Sequence, residues 1–125
     1  MPAYFKNMVY YAPRSSQLQT FTFSNGKLSN NSTAQSANTF VYPGATPSVS
    51  ANGTSNGIVW AVQASTQAAT LYAYDANNLN EIYNSGQMGS RDQFAWGSKF
   101  VPPTIANGKV FVATATGVVV FGPLR

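Results

Sequence analysis

Apolar and polar residues alternate along this chain in short runs, and the runs recur. Leu18–Phe23 (Leu-Gln-Thr-Phe-Thr-Phe) has period two, the pattern of a strand with one wet face. Ile58–Val62 (Ile-Val-Trp-Ala-Val) is apolar at every position, so it predicts a strand buried on both faces. Between the runs stand Asn-centred turns: Lys6-Asn7, Asn25-Gly26, Asn52-Gly53, Asn56-Gly57 and Asn107-Gly108. Asn and Gly adopt the positive φ that tight hairpin turns require. No stretch of helical period longer than about ten residues stands out, so no helix is expected.

Three segments share one grammar. Pro2–Ala12, Pro47–Ala61 and Pro103–Ala113 each run from a proline through a short alternating strand and an Asn turn into a β-branched and aromatic strand. Val9 and Val59 lie 50 residues apart, and Val59 and Val110 lie 51 apart. A fixed period of this size is a mark of repeat architectures, and four short antiparallel strands per unit describe a propeller blade. The expected strands of the first unit are 3–5, 8–12, 18–23 and an outer, solvent-facing strand followed by a loop within 28–40. Those of the second are 47–50, 58–62, 70–74 and 79–85, and those of the third are 103–106, 110–114 and 118–121. The chain is therefore expected to be all-β, a partial β-propeller of about three four-stranded antiparallel blades, the last lacking its outer strand. As one partial domain, it divides into units 2–40, 46–85 and 102–122, with 86–101 a connector.

The second unit carries the most specific text: Thr46-Pro-Ser-Val-Ser-Ala-Asn-Gly53, Gly57-Ile-Val-Trp-Ala61 and Leu71-Tyr-Ala-Tyr-Asp-Ala-Asn-Asn-Leu79. It resembles the blade repeat of quinoprotein-like β-propellers, those similar to pyrroloquinoline quinone (PQQ) dehydrogenases, and Val118–Phe121 resembles their short closing strand. The resemblance covers most of residues 2–122 and implies a C-terminal portion of such a propeller from a bacterial, periplasmic or extracellular protein. A ring needs four to eight blades. The remaining blades of a parent propeller, or self-association, are therefore the expected partners. PQQ and calcium enter only through this resemblance. The quinone enzymes typically carry a docking tryptophan in each outer strand. Here Ala34-Gln35 and Ile82-Tyr83 occupy that region, which argues against quinone binding.

Composition narrows the chemistry. Charged residues make up 8% of 125, with seven basic and three acidic, a net charge of +4. The basic residues are scattered, so neither a nucleic-acid nor a membrane footprint is expected. There is no cysteine and no histidine. That removes disulfides, thiolate and imidazole chemistry, and most zinc sites. No run of about 20 apolar residues spans a bilayer, and no signal-peptide pattern opens the chain.

The residues identify no catalytic or metal site. Asp75 follows the strand 70–74 and fits a turn cap better than a base or calcium ligand. Glu81 has no partner carboxylate at a suggestive spacing. The candidates for ligand binding are Arg91, Asp92, Trp96 and Lys99, because a glycine-rich connector with charge and aromatics is where binding residues collect. Against this stand a local Arg91–Asp92 ion pair and packing of Trp96 between blades. Trp60, inside an apolar strand, is expected in the core. The leading expectation is a non-catalytic scaffold or binding module. One alternative is the C-terminal part of a PQQ-dependent or related dehydrogenase without its catalytic blades. Another is a carbohydrate-binding propeller segment, and a protein ligand is equally compatible.

Overall fold

The computed structural model describes residues 1–123. The first sheet comprises β1 (Ala3–Phe5), β2 (Met8–Tyr11), β3 (Ser16–Ser24), the two-residue β4 (Lys27–Leu28) and β5 (Ala34–Phe40). The second comprises β6 (Ser48–Asn52), β7 (Ser55–Gln63), β8 (Ala68–Asp75), β9 (Glu81–Asn84) and the two-residue β10 (Phe94–Ala95). The third has β11 (Thr104–Ala106), β12 (Lys109–Ala113) and β13 (Val118–Phe121). Every pairing is antiparallel, and within each sheet neighbouring strands follow chain order outward from β1, β6 or β11. The fold is all-β and propeller-like, with four principal strands in two sheets and three in the last.

The repeat is visible in the strand register. Tyr4 pairs with Val9, Val49 with Val59, and Ile105 with Val110. On the other side Val9 pairs with Phe21, Val59 with Tyr74, and Val110 with Phe121. The three sheets thus place a valine between an inner aromatic or aliphatic residue and an outer aromatic one. Asn turns make this possible: Asn7, Asn25, Asn56 and Asn107 all have φ between 50° and 60°.

Side chains alternate between two faces of each sheet. In the second sheet Val59, Ala61 and Tyr74 join a core with Tyr10, Ala12, Leu18 and Phe40 of the first. From the opposite face Val62, Ala69 and Leu71 join Phe94, Val110 and Val112 in a core with the third. The all-apolar run of β7 is explained by this double burial. Trp60 is half-buried at the border of the second core, and its indole N–H donates to Ser50 Oγ at 2.8 Å. Two buried polar contacts tie the first two sheets. Tyr10 donates its hydroxyl to the Ala76 carbonyl at 2.7 Å, and Tyr74 donates to Asn38 Oδ1 at 2.5 Å. Burial, then the nearby Asp75 carboxylate, push the Tyr10 hydroxyl up to about 12. The innermost strand β6 lies beside both β1 and β11, and Ser48 Oγ donates to the Pro103 carbonyl at 2.6 Å.

Two details differ from the sequence expectation. In the first sheet the loop comes before the outer strand and not after it: β5 occupies 34–40, because Ser29 folds the preceding segment into a loop. It accepts the Thr22 amide and donates to the Asn31 carbonyl. The connector contains a one-turn 3-10 segment, Gly89–Arg91, and contributes β10 to the second sheet alongside Ala68 and Ala69.

The interface between the first two sheets sets two expectations. Tyr10→Phe leaves the buried Ala76 carbonyl without its donor and lowers stability by about 1–3 kcal/mol, read from a shifted urea midpoint at constant slope. Gly57→Ala places a Cβ 2.5 Å from the Phe5 ring and 2.8 Å from the Ala76 Cβ. Such overpacking lowers stability by about 1–3 kcal/mol; an unchanged melting temperature contradicts a tight approach there.

Candidate functional site

Two of the four candidate residues meet. Arg91 ends the 3-10 turn and Asp92 follows it. The Arg91 guanidinium donates twice to Asp92, from Nε to Oδ1 at 2.6 Å and from Nη2 to Oδ2 at 2.7 Å. Tyr83 of β9 donates its hydroxyl to Asp92 Oδ2 at 2.7 Å. This fork geometry is the strong form of an ion pair, and the tyrosine ties it to the outer strand of the second sheet.

The charges follow from those contacts. Hydrogen bonds from Arg91 and then Tyr83 lower the Asp92 carboxyl from 3.8 to about 2. The bond to Asp92 raises Arg91, and burial followed by the bond to Asp92 raises Tyr83. Asp92 is thus a firmly ionised carboxylate with its acceptors engaged, which suits positioning and not proton transfer. The clasp walls a cleft of about 480 Å³, lined also by Gln93, by Val119, Val120 and Phe121 of the edge strand β13, and by Gly122 just after it. In the other two sheets a fourth strand, β5 or β9, covers the third strand; along β13 the cleft borders an open edge.

The other two candidates stand elsewhere. Lys99 lies over the Tyr42 ring, its Nζ 5.0 Å from the centroid, while Arg14 reaches the same ring at 5.2 Å. Phe100 meets Tyr42 edge-on at 6.3 Å. Both rings are exposed, 50% for Tyr42 and 70% for Phe100. Trp96 is 56% exposed and lines neither this cluster nor the cleft. Its backbone is held: the Trp96 carbonyl accepts the Ala115 amide at 2.9 Å, and neighbouring Gly97 bridges to Thr114. Sequence reasoning missed Tyr83, Tyr42 and Arg14. The first looks like one more outer-strand aromatic, and the others lie in separate loops far from Lys99 in the chain.

Asp75 is a turn residue. Its Oδ1 accepts the backbone and side-chain N–H groups of Asn77 at 2.7 and 2.8 Å. Among the described residues no three His, Cys, Asp or Glu side chains gather as metal ligands would.

The clasp has a pH signature. Because the folded carboxyl titrates below its unfolded value, its contribution to stability is full above about pH 4 and disappears as pH falls toward 2. An NMR titration is expected to give Asp92 a midpoint near 2, moving toward 4 in Arg91→Ala. A wild-type midpoint near 4 contradicts the clasp.

No family model, curated protein or solved structure matches this chain.

Proposed function

We propose that this chain is a non-catalytic scaffold or binding module, a piece of a quinoprotein-like propeller repeat protein that works by being packed against. The observation that carries this proposal is the pair of uncovered sheet faces at its two ends. The first sheet turns Val9, Tyr11 and Phe21 outward, over a shallow apolar groove also lined by Pro2 and Leu28. Tyr11 and Leu28 are 45% and 48% exposed. The third sheet turns out Val118 and Val120, 63% and 50% exposed, beside Phe111. Apolar surface of this kind on a chain with few charges marks an interaction surface. The engaged state of Asp92 supports a structural role for the connector. The runner-up, a C-terminal dehydrogenase part, would need a quinone and calcium ion to be held by residues that the outer strands do not offer.

A separate observation favours a sugar-binding alternative. Tyr42 and Phe100 present exposed aromatic faces flanked by Arg14 and Lys99, a setting suited to an acidic saccharide. On a glycan array this predicts signal on acidic glycans that Tyr42→Ala abolishes. A signal indifferent to Tyr42 removes this alternative.

Adding PQQ and calcium to the purified chain tests the main proposal. The expected result is no saturable change in the quinone spectrum and no dye reduction. A saturable change with turnover overturns it in favour of the dehydrogenase.

A further inference from the structure

Arg14 and Lys99 converge on the Tyr42 ring from distant parts of the chain. Arg14 comes from the loop between β2 and β3, Lys99 from the connector. They stand 5.2 and 5.0 Å from one ring centroid, so at most 10.2 Å apart, the sum of the two distances. The three acidic side chains are engaged elsewhere: Asp75 by Asn77, Glu81 by Asn84, and Asp92 by Arg91 and Tyr83. Among the described residues Arg91–Asp92 is the only salt bridge. Two like charges held on one ring repel, and the negative face of the ring offsets only part of that. A bound anion offsets the rest.

Beside the ring runs a groove of about 530 Å³, the size of an ordinary small-ligand site. Tyr42 and Tyr72 supply aromatic walls, and Lys99 supplies charge. Thr39, Gln63, Ser65 and Thr66 line it with hydroxyl and amide groups, and no carboxylate does. Flat rings suit the apolar face of a sugar, and neutral donors and acceptors suit its hydroxyls. Burial and then the Glu81 carboxylate raise the Tyr72 hydroxyl, so a negative charge is disfavoured at the Tyr72 side. The acid of a ligand therefore belongs at the Tyr42 side, with the two cations.

Phe100 adds a second observation. It meets the Tyr42 ring edge-on and is held at φ 66°, a left-handed backbone that is unusual for a bulky side chain. Strain of this kind gathers at ligand sites. Every residue of the groove and the cluster falls between positions 14 and 100, so the site does not depend on the two end faces.

We infer that this groove binds an oligosaccharide carrying an acidic group, the acid held by Arg14 and Lys99 and the sugar rings lying against Tyr42 and Tyr72. The inference rests on the sugar-binding alternative and goes further. It assigns the acid to two named cations, and it leaves out Trp96, which does not line the groove. A uronic-acid carboxylate and a sugar sulfate share the required chemistry, since each offers a guanidinium fork two oxygens.

Calorimetric titration of the full chain tests it with three probes: a uronic-acid tetrasaccharide, its neutral methyl ester and a sulfated tetrasaccharide. At least one acidic probe is expected to bind, more weakly as salt rises, and which one binds identifies the acid. The ester is expected to bind about tenfold more weakly than the free acid, and Arg14→Gln and Lys99→Gln are each expected to weaken the acidic probe about tenfold. Trp96→Ala is expected to leave binding unchanged. Arg14 and Lys99 are exposed, and far-UV circular dichroism checks the variants; Arg14→Met and Lys99→Met replace any that does not fold. Equal affinity for acid and ester, or binding indifferent to both cations, overturns the acid assignment and leaves sugar binding standing. Loss of binding in Trp96→Ala overturns the placement in the groove. Tighter binding of an acidic peptide or a single-stranded oligonucleotide overturns the sugar assignment. If none of the three probes binds, the inference fails, and the sugar-binding alternative fails with it only if the glycan array is also silent.

Discussion

The middle sheet is apolar on both of its faces, and the rest of the molecule follows from covering it. β7 and β8 present Val59, Ala61, Tyr72 and Tyr74 to one side and Trp60, Val62, Ala69 and Leu71 to the other. Neither side can be left to water without losing the main driving force of folding. The first sheet covers one side and the third covers the other. Each covering sheet acquires a buried face in doing so and keeps a second face that the chain itself does not cover. Two hydroxyls cross between the sheets at these contacts, Tyr10 to a carbonyl and Tyr74 to an amide oxygen, while Thr20 Oγ1 and Asn38 Nδ2 are buried there without a partner among the described residues. Such bonds fix how the sheets sit, because a buried donor with no acceptor is costly.

The connector is held from three directions. β10 joins it to the second sheet, Gly97 and Ser98 join it to the end of β12, and the Arg91–Asp92–Tyr83 clasp fastens its first half to β9. A glycine at 97 is required by space, since a Cβ there would come within 2.8 Å of the Ala69 Cβ. The segment with the densest charge and aromatic content in the chain is in this way a strap. Beyond these contacts stand the exposed Trp96 side chain, the Tyr42–Phe100 cluster and the cleft along β13.

Much of the fold was legible before the structure. Most strands lie within one or two residues of their expected limits, β7, which starts three residues earlier at Ser55, and the outer strand β5 being the exceptions, and the 50-residue spacing of Val9 and Val59 reappears as a shared strand register. The candidate site was less legible. Arg91–Asp92 is a neighbour pair that any reader of the chain would notice, but its third member, Tyr83, sits on a different element. The cluster at Tyr42 gathers Arg14 from one loop and the adjacent Lys99 and Phe100 from another, and no local pattern announces such a meeting.

The amino-acid sequence by itself determined the all-β class, the repeat and the three strands of its last unit. These depend on alternation, on turn residues that accept positive φ, and on counting strands, all of them local properties. Only the tertiary structure decided which apolar faces are covered. Val118-Val-Val-Phe121 reads along the chain as a strand buried throughout, like Ile58–Val62. Yet Val118 and Val120 face outward while Val119 and Phe121 pack into the second core. Burial belongs to the neighbour on the other side of the sheet, and a run of residues does not say whether that neighbour is present.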